Sequence, residues 1–220
     1  FCLRIPQDVP YDTKLSVRSL WADLRESAQF LTGQAAVLRL AAAMAVVNLL
    51  EVPALTVGVP VLVVQTLQKS DASLGLVQAV LSAGGILGGV LAGTVFVRRP
   101  IRSGTPLLLA LSGVCAALGL TLRVSTLQFG SILVLGAMFM AVAALFNVWF
   151  FVQLQVLVPQ AQLGKTTACC TVLACLTQPI GLAAYGIAFQ HWAAHPADVL
   201  LAAGVLSALV LWLLQTRRTA

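Results

Sequence analysis

Glu51 is the one acidic side chain set inside a long apolar run of this chain. It follows Arg39 by twelve positions, which places it about 18 Å further along a helix rising 1.5 Å per residue, close to the middle of a bilayer. A carboxyl at that depth is costly to ionise. Such groups mark proton relays or water-filled cavities, and Glu51 is the candidate for proton coupling. Asn48, three residues earlier, shares its helical face. The alternative is a structural Glu51, neutral and hydrogen-bonded to a neighbouring helix. Asn147, Gln153 and Gln178 are the other amides inside or at the ends of apolar runs and, with Asn48, are candidates for a substrate path. Gln178 precedes Pro179, whose missing N–H frees a carbonyl one turn back. Each amide has a second reading as a plain interhelical hydrogen-bonding group.

Hydrolytic and redox chemistry lack their usual constellations. There is no HExxH and no GxSxG. His191 and His195 are spaced i, i+4 in the run HWAAH, but Pro196 and the lack of a third ligand argue against a metal. Cys2, Cys115, Cys169, Cys170 and Cys175 form no CxxC pair and read as small apolar residues or, for Cys2, a lone thiol. The expectation is a protein that is not an enzyme and needs neither metal nor cofactor.

The elements that position these residues follow from composition. Of the 220 residues 60% are hydrophobic and 9% charged. Soluble domains carry about 25% charged residues, so the bilayer is the solvent this chain fits. Hydropathy marks six spans, at 38–67, 74–96, 106–122, 127–154, 167–189 and 199–214, giving an all-α membrane protein. The first contains Pro53 and Pro60 and has length for a tilt or kink. Short connections lead us to expect that consecutive helices pack antiparallel. The organisation is then a linker at 1–36, a six-helix domain at 37–216 and a tail at 217–220. Within the linker, residues 15–31 place Leu20, Trp21, Leu24, Ala28 and Leu31 at helical spacing, as in an amphipathic helix lying on a membrane surface. No signal peptide is visible, and the beginning reads as the middle of a longer protein.

The formal net charge of +6 does not read as a nucleic-acid surface, because the cations sit at the ends of the spans. Arg4, Lys14, Arg18, Arg25, Arg39, the basic loop Arg98, Arg99 and Arg102, then Lys165, Arg217 and Arg218 all fall on one side of a six-span chain. Lys69 and Arg123 alone fall on the other. Excess Lys and Arg marks the cytoplasmic face, so both ends of this segment are expected there. For helix packing, Gly85, Gly89 and Gly93 repeat every four residues and are expected to let a neighbouring backbone approach.

Four segments carry a family resemblance. They are Trp21-Ala22-Asp23-Leu24-Arg25-Glu26 with Phe30-Leu31, then Gly84-Gly85-Ile86-Leu87-Gly88-Gly89 through Arg98-Arg99, Val158-Pro159 with Leu163-Gly164-Lys165, and Gln178-Pro179-Ile180-Gly181. Together they resemble the C-terminal half of a major facilitator superfamily transporter, of the bacterial macrolide-efflux and enterobactin-exporter-like branch. The family's basic loop often has an acid before the Arg and a Gly after it, where this chain has Val97 and Pro100. The resemblance implies a six-helix half-bundle in a bacterial plasma membrane and a separate N-terminal six-helix half as partner. It also implies a small-molecule substrate bound between the halves at mid-depth. The function expected is proton-coupled efflux of a hydrophobic or amphipathic compound such as a drug or siderophore. The alternative is a permease subunit of another transport system.

Overall fold

The computed structural model describes residues 33–98, 103–124 and 128–216. These form helices and short connections, with no strand among them. In chain order they are α1 (Ala35–Thr66), α2 (Asp71–Arg98), α3 (Thr105–Thr121), α4 (Gln128–Leu157), α5 (Gln160–His191) and α6 (Pro196–Thr216). All but α3 are long and apolar enough to cross a membrane; α3 is a shorter apolar helix of 17 residues. This is the make-up of a multi-pass membrane helical bundle. Large apolar side chains such as Ile86, Leu87, Val134 and Ile187 cover its outside, as a lipid-facing surface requires. The interfacial helix expected at 15–31 and the loop residues Arg99 and Arg102 lie outside the described residues. Arg98 ends α2.

Each helix starts or stops where its sequence lacks a means to continue. Pro106, Pro159 and Pro196 stand at the starts of α3, α5 and α6, where a missing N–H costs nothing. Between α1 and α2 the chain turns through Gln68, whose φ is +49°. α1 is one helix with two widened turns, Val47–Glu51 and Val61–Thr66. In the first, the Val52 N–H bonds the Val47 carbonyl, five residues back. Pro53 comes directly after; its ring crowds the Leu49 carbonyl and it has no N–H to give. Loosening the preceding turn relieves that crowding, the usual setting of a π-turn.

Apart from α3 with α4, consecutive helices make little contact, contrary to the expectation from short loops. α1 packs against α5 and α6, α4 packs against α2 and α3, and α3 and α6 pack on each other. A short loop fixes only where the next helix begins. Which faces meet is decided by where backbones can approach. A Cβ built at Gly84 or Gly88 of α2 would collide with the backbone of Ala137 or Ala141 on α4. One at Gly119 of α3 would strike Ala197 and Leu201 of α6, and one at Gly204 of α6 would strike Ser112 and Ala116 of α3. Gly181 of α5 sits on the Leu49 carbonyl and Pro53 ring of α1. The expected stripe needs correction here: Gly85, Gly89 and Gly93 have open space where a Cβ would stand, so within this chain the contact belongs to Gly84 and Gly88. The core is filled by Phe139, Phe146 and Phe150 of α4 with Leu111 and Leu118 of α3 and Leu62 of α1.

Candidate functional site

Three helices bring one polar group each to a common point inside the bundle. Glu51 is at the middle of α1, Ser112 at the middle of α3 and Ser207 at the middle of α6, and all three side chains are buried. Ser112 Oγ lies 2.5 Å from Glu51 Oε1. Ser207 Oγ hydrogen-bonds the same carboxyl oxygen. The two hydroxyl oxygens are 3.2 Å apart, and Ser112 Oγ also donates to the Leu108 carbonyl at 3.1 Å. Glu51 Oε2 is buried and has no hydrogen-bond partner.

The local sequence explains this convergence. Glu51 is the last residue of the π-turn, and its buried side chain faces α3 and α6. The Gly119 and Gly204 contacts hold α3 and α6 close enough for Ser112 and Ser207 to reach one oxygen atom. Cys115, one turn beyond Ser112, is buried and directs its Sγ to the Leu200 carbonyl at 3.6 Å. No ion pair to Glu51 occurs among the described residues; Arg123 pairs with Asp198 at 2.6 Å, at an exposed helix end. A buried acid with hydroxyl partners and no counter-ion can hold a proton, and it can pass one on only when its surroundings open.

The amides expected on a substrate path do not gather around Glu51. Asn48 donates from Nδ2 to the Met44 carbonyl of its own helix at 3.0 Å. Asn147 is exposed on α4, and Gln178 is half-buried on α5. Gln153 lines a small cavity of about 230 Å³ with Arg39, Gly104 and Trp149, at the end of the bundle where α1 and α3 begin. The helix α5 ends at His191, with Trp192 as its cap, so His191 and His195 do not continue along one helical face. Among the described residues no group of three or more His, Cys, Asp or Glu side chains could hold a metal.

Beside the polar cluster is an apolar cavity of about 740 Å³ between α1, α5 and α6. Its wall includes Leu49 and Leu50, the residues before Glu51, Leu206, the residue before Ser207, and Tyr185, with Trp192 and Asp198 at one end. Its volume is that of a small-molecule site, and its lining suits an apolar ligand body. Ser112, Ser207 and this cavity were not found from the sequence. The available signal was depth: both serines lie at mid-helix, as Glu51 does. Compared with protein-family models, with curated proteins and with solved structures, the chain matches none.

Proposed function

We propose that this chain is half of a membrane transporter that couples proton movement to the export of a hydrophobic or amphipathic small molecule. The observation that carries the reading is Glu51. This sole acid of the apolar helix interiors is fully buried at mid-helix, without a counter-ion among the described residues, where a loosened turn of α1 meets α3 and α6. Pro53 accounts for the loosened turn itself, and such turns are frequent at working sites. The apolar cavity next to it supports the substrate class.

The packing order supports the architecture. Exchanging α1 with α4, α2 with α5 and α3 with α6 maps the main helix contacts onto themselves. With each helix crossing the bilayer, two such units of three helices run in opposite directions. Inverted repeats of this kind are the building plan of major facilitator transporters. On this reading there are six spans, and a second six-helix half closes the substrate path.

The test is Glu51→Gln in the full-length protein, reconstituted in liposomes with a fluorescent amphipathic dye. The substitution keeps shape and hydrogen-bonding capacity but removes the exchangeable acid proton. Flux driven by a pH gradient should be lost while dye binding persists. Wild-type gradient-driven flux would overturn the coupling role and return Glu51 to a structural one.

A further inference from the structure

We infer that Glu51 is a carboxylic acid whose proton sits on Oε1, donated to Ser112 and backed by Ser207, which makes these two serines the positioning residues for that proton. The inference deepens the transport reading and rests on it for its functional meaning, but its basis is a count of protons at the cluster.

Each serine hydroxyl has a single proton. Four oxygen contacts draw on them: Ser207 with Glu51 Oε1, Ser112 with Glu51 Oε1, Ser112 with the Leu108 carbonyl and, longest at 3.2 Å, Ser112 with Ser207. With Glu51 ionised, only two protons exist for four contacts. Oε2 would then carry half of a negative charge while buried, with no donor or cation beside it among the described residues. With the acid proton on Oε2, a buried O–H would have no acceptor. With the proton on Oε1 three of the four are filled in one direction, and only the long contact between the two hydroxyls is left without a proton. Ser207 Oγ–H donates to Oε1, Oε1–H donates to Ser112 Oγ, and Ser112 Oγ–H donates to the Leu108 carbonyl. Oε2 is left as a carbonyl oxygen, the kind of buried group most often left without a partner.

Among the described residues, the surrounding elements add no competing charge. The titratable groups facing Glu51 from its neighbours are Cys115 on α3 and Tyr185 on α5, and neither bears a positive charge. From α6 the facing polar group is Ser207, and Asn48 on α1 is engaged with Met44. Because α3 and α6 are locked together, the acceptor Ser112 and the donor Ser207 move as one body. Separation of α1 from that body breaks both hydrogen bonds at once and admits water. The Oε1–H bond then breaks with its electron pair kept by the carboxylate, and the proton passes to a water molecule. On reclosure a proton from water returns to Oε1.

The experiment is infrared difference spectroscopy on the full-length protein in lipid nanodiscs at neutral pH. The wild type should show a carboxylic-acid carbonyl band, lost in Glu51→Gln, at the position of a carbonyl without hydrogen bonds. That band should move in Ser112→Ala and in Ser207→Ala and stay in place in Asn48→Ala. Gradient-driven flux should fall about tenfold in either serine variant, the effect of losing one strong hydrogen bond. A wild type without an acid band assignable to Glu51 overturns the inference, as does a band unmoved by both serine substitutions. If the serine variants do not fold, the presence or absence of the free-carbonyl band in the wild type still decides. If the band behaves as expected while Glu51→Gln transports normally, the proton assignment stands and the coupling reading fails.

Discussion

Glu51 illustrates how far a single residue type can be read. Its depth and isolation are visible in the chain because an acid in an apolar run is rare enough to stand out. Ser112 and Ser207 are not visible in the same way. A serine bonds its own helix readily, as Ser82 does to the Gln78 carbonyl, so its presence in a span says little until the facing helix is known. The glycines of α2 show a different limit. Gly84, Gly85, Gly88 and Gly89 contain two interleaved pairs at the same spacing, and spacing alone cannot say which pair faces α4. The deciding signal was in the larger neighbours: Val77, Leu81 and Ala92, all buried, share the face of Gly84 and Gly88. Gly88→Leu should therefore destabilise the bundle by about 1–3 kcal/mol through overpacking against Ala141. Gly89→Leu, with open space around it, should cost little. Denaturant titration of both variants in detergent checks this, and equal losses would reverse the assigned face. The Arg123–Asp198 pair is exposed, so Arg123→Ala should lower stability by less than about 1 kcal/mol in the same titration.

At the scale of the helix, sequence and structure agree closely because the bilayer imposes a length and proline fixes the ends. All six expected apolar segments become helices, most of them a few residues longer than hydropathy marks. The distortion within α1 was legible only as a permitted kink. Its form depends on Pro53 and on Gly181 of α5, which occupies the space beside the Leu49 carbonyl. A widened turn accommodates one extra residue, so closing it would rotate the C-terminal part of α1 by about 100°. Pro53→Ala restores an N–H donor to Leu49 and should favour a regular helix. We expect higher thermal stability with reduced gradient-driven flux, because Glu51 would no longer sit squarely between Ser112 and Ser207. A variant both more stable and fully active would show that the loosened turn has no part in transport.

For the whole molecule, the first three helices pack mainly on the last three and little on one another. Chain order hides this, because local loops suggest local neighbours while the close approaches at Gly84, Gly119, Gly181 and Gly204 join distant segments. Charge distribution remains the guide to orientation. On the proposed topology, a cysteine placed at position 69 should react with an impermeant thiol reagent on intact cells, and one at position 102 should not. The opposite pattern would invert the protein in the membrane. The shortness of α3 has a consequence of its own. Its 17 residues extend about 25 Å, less than a hydrocarbon core of about 30 Å, and α3 is bound to α6 along its length. It cannot lengthen, and its glycine-fitted partner prevents it from sliding. On the proposed six-span topology the surrounding lipids must yield, drawing the two leaflets together beside α3. Such hydrophobic mismatch makes acyl-chain length a control variable for the protein, with short-chain lipids favouring the closed cluster around Glu51 and long-chain lipids straining it.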